Sequence, residues 1–178
     1  NDSDLRNNAA TQDWYESRND DQTLLTLDSN TVGSNSGKKA ALKNFGIGKN
    51  AYLTQEFGTA QTGTFNVSFD IYIDKIKDNS SYDRTGHIYL GNDADGTKGP
   101  CSSSNDRFAS LAFYDATPGD SGTDLELRGR TLSGQAWATT SQWISVATGL
   151  SYDTWYNVRL QVNVATGTYD VYINNNFT

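Results

Sequence analysis

Methionine is absent from this chain, and cysteine and histidine occur once each. A lone Cys101 forms no internal disulfide, and no Cys/His set exists that could build a zinc site. No apolar run approaches the roughly 20 residues that a membrane-spanning helix needs. Basic residues are also few: 14 Lys and Arg stand against 21 Asp and Glu, for a net charge of -7. That balance excludes a nucleic-acid binder, whose phosphate ligand demands a basic surface. It suits neutral or weakly charged partners. Nowhere do apolar residues recur over a long stretch with a period of 3.6, which excludes a helical bundle. The missing methionine in a chain beginning at Asn1 implies a processed or trimmed start, through a removed signal peptide, a cut boundary or proteolysis.

What is present is alternation. In the stretch from Trp155 to Asn174, Tyr156, Val158, Leu160, Val162 and Val164 point one way. Trp155, Asn157, Arg159, Gln161 and Asn163 point the other. After Ala165-Thr-Gly167, Tyr169, Val171 and Ile173 resume the apolar side. Period two marks a strand with one buried face, and a short Gly-bearing connection joins two such strands as an antiparallel hairpin. A second anchor runs from Gly63 to Asp74, with Phe65, Val67, Phe69, Ile71 and Ile73 facing a core and Asn66, Ser68, Asp70 and Tyr72 facing water. Shorter strands are expected within 23–28, 34–42, 51–57, 86–91, 107–115, 124–129 and 135–146, bounded by Gly, Asp, Asn and Ser clusters. Residues 1–12 are polar and aperiodic and read as a linker or arm, with one domain over 13–178. The fold class is all-β: a two-sheet antiparallel β-sandwich with jelly-roll connectivity.

Five segments carry a resemblance: Gly37-Lys-Lys-Ala-Ala-Leu42, Tyr52-Leu-Thr-Gln-Glu-Phe57, the Gly63–Ile73 strand, Asp153-Thr-Trp-Tyr-Asn-Val-Arg-Leu160 and Gly167-Thr-Tyr-Asp-Val-Tyr-Ile173. Together they resemble the concanavalin A-like lectin/glucanase superfamily, most closely the laminin-G-like jelly rolls of secreted polysaccharide-active proteins, over about residues 13 to 176. Such domains continue past the last hairpin. The chain stops at Thr178, so its closing strands are expected either to lie outside it or to come from the N-terminal segments.

The resemblance implies either sugar binding without turnover or polysaccharide cleavage. Retaining glucanases of this kind carry Glu-x-Asp-x-x-Glu on one strand. Asp124-Leu-Glu-Leu-Arg128 lacks the second glutamate, and Arg128 is placed to pair with Glu126, which argues against that chemistry. Lyases of similar form gather an arginine, a tyrosine, a histidine and an amide around a uronate. Arg128, Tyr89 or Tyr114, His87 and Gln161 supply those residue types without the lyase motifs. The loop Gly91-Asn-Asp-Ala-Asp-Gly-Thr-Lys-Gly99 offers Asn92, Asp93 and Asp95 as hard oxygen ligands for a structural calcium, although it is no EF-hand; a plain Asn/Asp/Gly turn is the simpler alternative. Tyr72, Tyr89, Tyr114, Trp137, Trp143 and Arg128 are the candidate sugar-contacting residues, against the alternative that each ring packs the sandwich. Asn66, Asn79 and Asn176 stand in Asn-x-Ser/Thr sequons.

The expectation is a non-catalytic carbohydrate-binding module of a larger extracellular or cell-surface protein. Its partners are polysaccharide and other domains of the same parent chain. A polysaccharide lyase or glycoside hydrolase is the first alternative, and a structural or adhesive surface domain the second.

Overall fold

A computed structural model describes residues 14–17, 23–43, 51–55, 57–76, 84–92, 101, 107–117, 124–130 and 143–178. The chain divides into two units, Asn1–Ala60 with Asp93–Ser102, and Gln61–Asn92 with Ser103–Thr178. The first holds two antiparallel pairs: β1 (Trp14–Ser17) with β4 (Tyr52–Gln55), and β2 (Leu25–Asp28) with β3 (Lys39–Leu42). In it Leu24 and Leu25 are buried, and Cys101 is buried as well.

The second unit carries the larger architecture. One sheet has the order β12 (Asn176–Phe177), β11 (Thr168–Ile173), β10 (Trp155–Asn163), β5 (Thr64–Tyr72). The other has the order β6 (Arg84–Gly91), β7 (Arg107–Asp115), β8 (Leu125–Arg130), β9 (Trp143–Leu150). All pairings are antiparallel. The alternating apolar residues decide the packing. Val158, Leu160 and Val162 of β10 with Val171 and Ile173 of β11 share one core with Leu111, Phe113, Leu125, Leu127 and Leu150 of the other sheet. The two sheets therefore face each other as an open sandwich. Burying a Leu160-sized side chain contributes about 1.5–3 kcal/mol, so this row fixes the register.

On β5 the expected core face is only half-buried at Phe65, Val67, Phe69 and Ile71. The sheet order gives the reason: among the described strands, β5 is flanked on one side only, by β10. Its polar side stands as expected, with Asn66 and Asp70 exposed.

The Ala165-Thr-Gly167 turn closes the β10–β11 hairpin, Thr166 N donating to Asn163 Oδ1 at 3.2 Å. Gly167 supplies the left-handed backbone, at φ 66°. Asn174 and Asn175, at φ 50° and 67°, then form a tight turn into β12, a short strand absent from the sequence expectation. Tyr169, half-buried, ties the two sheets together: its hydroxyl donates to the Arg130 carbonyl of β8 at 3.2 Å, and partial burial raises its pKa. No described segment is helical, and no helix among the described residues is long and apolar enough to cross a membrane.

Candidate functional site

Arg84, Tyr89, Arg107, Tyr114, Glu126 and Arg128 share the face of the β6–β9 sheet that points away from the shared core. Two irregularities in the β6–β7 ladder bring Arg84, Tyr89 and Arg107 to it. Thr85 pairs with Phe113 while Ile88 pairs with Leu111, so β6 carries one extra residue across Gly86–His87. Gly86 takes φ +57° at that point, and an added methyl would meet Ile73 Cδ1 at 2.9 Å and a Phe113 ring carbon at 3.2 Å. Glycine is required there both for backbone sign and for space. The bulge shifts parity: Arg84 before it and Tyr89 after it share the outer face, while Ile88 and Leu90 pack on the core. A second shift, between Leu90 and Gly91, lets Phe108 join the core and leaves Arg107 over Tyr89.

The centre of this face is closed. Tyr114 is fully buried, and Ala112 and Trp143 pack with it. The Tyr114 hydroxyl accepts from Arg84 Nη1 at 2.8 Å, and its ring lies 4.4 Å from the Arg128 guanidinium carbon. Trp143 meets Tyr114 at 5.5 Å between ring centroids. The expected Glu126–Arg128 pair forms, with Arg128 Nε and Nη2 both donating to Glu126 Oε1. Ser145 Oγ donates to the other carboxylate oxygen at 2.5 Å. Arg130 and Ser110 are buried on the same strands.

The β6 margin is more open. The Arg107 guanidinium lies 4.1 Å above the Tyr89 ring, and His87 stacks on that ring at 5.8 Å with an interplanar angle of 24°. Trp143 meets the His87 ring edgewise at 6.3 Å. Arg84, Tyr89 and Arg107 are half-exposed and His87 is exposed. Although part of the His87 surface is open, surrounding protein crowds the imidazole, and Arg84 and then Arg107 add repulsion. Its pKa falls from 6.5 to about 4, so the ring is neutral near pH 7.

Four of the six expected contact residues (Tyr89, Tyr114, Trp143 and Arg128) thus lie on one sheet face. Tyr114 and Trp143, however, offer no open ring surface. Tyr72 sits on the other sheet, where it packs against Trp155 at 5.3 Å and donates to Asp153 Oδ1 at 2.9 Å. That carboxylate raises the Tyr72 pKa. Trp137 lies outside the described residues, as do Asp93 and Asp95. Asn92, the remaining expected calcium ligand, is exposed. Among the described residues no group of three or more His, Cys, Asp and Glu side chains could hold a metal. Asp124 precedes β8, and its Oδ2 accepts from Thr117 Oγ1 at 2.6 Å.

Sequence reasoning passed over Arg84, Arg107 and Ser145. Strict alternation back from Ile88 places Arg84 inside, and only the bulge corrects this. The signal available was Gly86, since an isolated glycine within a strand pattern marks a bulge. Neither the models of known protein families nor the curated proteins include a match to this chain.

Proposed function

We propose that this chain is a non-catalytic carbohydrate-binding module with concanavalin A-like, jelly-roll connectivity, belonging to a larger extracellular or cell-surface protein. Polysaccharide binds along the β6 margin. The supporting observation is the stack Arg107–Tyr89–His87, with Arg84 at the far end of the same strand. Aromatic rings accept the C–H faces of a sugar, and planar guanidinium forks donate to hydroxyl or carboxylate oxygens. Both arginines rest against tyrosine rings, which reduces the side-chain entropy lost when a ligand docks. The arginines favour glycans that carry carboxylates, despite the net charge of -7 on the whole chain. As a separate proposal, the Asn92–Asp95 loop holds a structural calcium.

Affinity electrophoresis against a uronate-containing polysaccharide tests the site. Tyr89→Ala removes the central ring and should weaken binding by about 1–2 kcal/mol, roughly 5- to 30-fold in Kd. Arg84→Gln with Arg107→Gln should weaken it further and flatten its salt dependence. Unchanged retention in a folded triple variant refutes the placement.

One observation favours a second reading, a β-eliminating lyase. A neutral imidazole flanked by two guanidiniums can accept a proton beside a neutralised uronate. Against it stand two facts. A pKa of about 4 makes His87 a weak base at neutral pH, and Tyr114 is fully buried with its hydroxyl engaged by Arg84. Ultraviolet absorbance of unsaturated product, lost in His87→Ala, would establish the lyase instead.

A further inference from the structure

We propose that the outer face of the β5–β10–β11–β12 sheet is a second carbohydrate platform, and that it takes neutral glycan chains. The inference rests on the carbohydrate reading of the chain but not on the arginine-bearing margin of the other sheet.

The face carries two ring stations. At one, Tyr72 and Trp155 are direct cross-strand partners with centroids 5.3 Å apart, and the Tyr72 hydroxyl is held by Asp153. At the other, the Arg159 guanidinium lies 3.7 Å over the Tyr172 ring, and Phe177 meets Tyr172 edgewise at 5.5 Å. Phe177 is 67% exposed. Four residues of β10 separate the stations lengthwise and one strand separates them sideways, which places them about 14 Å apart at about 3.3 Å per residue and about 4.8 Å per strand. That is the reach of a short oligosaccharide lying obliquely across the strands.

Between the stations lie short amides and hydroxyls. Asn157 Nδ2 donates to Asp70 Oδ1 at 2.8 Å and to Ser68 Oγ at 3.1 Å, and Arg159 Nη1 donates to Asn66 Oδ1 at 3.2 Å. Gln161 and Asn163 continue the row along β10. Neither lysine nor glutamate occupies any position on these four strands. A sheet face that needs only solubility favours long, hydrated charges. This one instead carries rigid rings and cross-linked amides, which lose little conformational freedom when a ligand docks. Asp70 and Asp170 are exposed, while the sole cation among the strand residues, Arg159, is engaged by Asn66 and Tyr172. A polyanion is therefore disfavoured, and hydroxyl-rich neutral sugars match the donors, acceptors and rings present.

The test uses the intact chain with soluble β-glucan, galactomannan and dextran as neutral probes, and a uronate-containing polysaccharide beside them. Phe177→Ser and Tyr172→Ala should each weaken retention of a neutral probe by about five-fold or more, and leave the acidic probe unaffected. Phe177→Ser removes an exposed ring without opening the core, and Tyr72→Phe provides a milder variant that keeps the ring. Failure to retain any neutral probe overturns the proposal, as does neutral binding that survives in folded Phe177→Ser and Tyr172→Ala. Loss of both probe classes in Arg84→Gln with Arg107→Gln also overturns it, because a single site would then serve both. Neutral binding lost in the platform variants, with no acidic binding at all, supports the platform and refutes the margin site alone.

Discussion

Gly86→Ala should destabilise the chain more than Gly149→Ala, and the difference measures the crowding beneath the β6 bulge. Both glycines have left-handed backbone, at φ +57° and +69°, and both sit at ladder irregularities. An L-residue in that region costs about 1–2 kcal/mol, partly offset by about 0.4–1 kcal/mol from the stiffer unfolded chain. Nothing lies within 4 Å of a methyl at Gly149, so its substitution should cost roughly 1 kcal/mol or less. At Gly86 the methyl meets Ile73 at 2.9 Å and Phe113 at 3.2 Å. Phe113 is fully buried and cannot withdraw freely, so overpacking adds about 1–3 kcal/mol. The total is then roughly 2–4 kcal/mol, a fall in Tm of about 5–15 °C at this chain length. Urea and thermal unfolding followed by circular dichroism supply both values. Equal losses in the two variants, or a gain at Gly86, would refute the argument that the bulge is set by space as well as by backbone sign.

His87 is the chain's single histidine, so its ring resonances are assigned without ambiguity, and their titration should have a midpoint near 4. Because the folded pKa lies below the unfolded 6.5, the unfolded state binds the extra proton first; the related stability is present above about pH 6.5 and is lost as pH falls towards 4, whereas a midpoint above 6 would refute the crowding. Tyr169→Phe removes the cross-sheet hydrogen bond to the Arg130 carbonyl and should cost about 0.5–1.5 kcal/mol in urea unfolding, and no loss would show that the bond adds nothing net. If the Asn92–Asp95 loop holds calcium, the ion at 100 times its Kd should add about 2.7 kcal/mol to stability, and a melting curve unmoved by chelator or by Asp93→Ala with Asp95→Ala removes the idea.

The long strands were legible because their side chains follow period two and their neighbours enforce it. Val158, Leu160 and Val162 could be placed inside from sequence, since slipping β10 by one residue would expose all three. Residues 107–115 were legible for the same reason, and they match β7 from end to end. What escaped was irregular. Ala147-Thr-Gly149-Leu150 reads as the end of a strand, yet β9 runs through it, because Gly149 supplies a left-handed bulge within the ladder. Likewise Asn174-Asn175 reads as loop, although both asparagines adopt the backbone that a tight hairpin turn needs. Alternation also says which face a ring occupies but not whether that face is covered, and so Tyr114 and Trp143 are indistinguishable in sequence from open platforms.

The buried centre of the β6–β9 outer face is better understood as a support than as a contact surface. A sheet face covered for stability alone would do as well with apolar residues, because a buried ion pair seldom outperforms a hydrophobic isostere. Here Glu126 is tied to Arg128 and Ser145, and Tyr114 to Arg84 and Arg128. Through Arg84 these bonds reach from the closed centre to the β6 margin. Each immobilised long side chain spares about 0.5–1.5 kcal/mol of ordering when a ligand arrives. Arg84 is fixed by the Tyr114 hydroxyl, and Arg107 by the Tyr89 face, while both remain half-exposed. On the proposed carbohydrate-binding reading, the closed cluster would hold these two arginines in place before a ligand arrives. At the β6 margin of the proposed module, then, Arg84, His87, Tyr89 and Arg107 are the residues that meet the glycan, while Tyr114, Trp143 and Arg128 hold them in place.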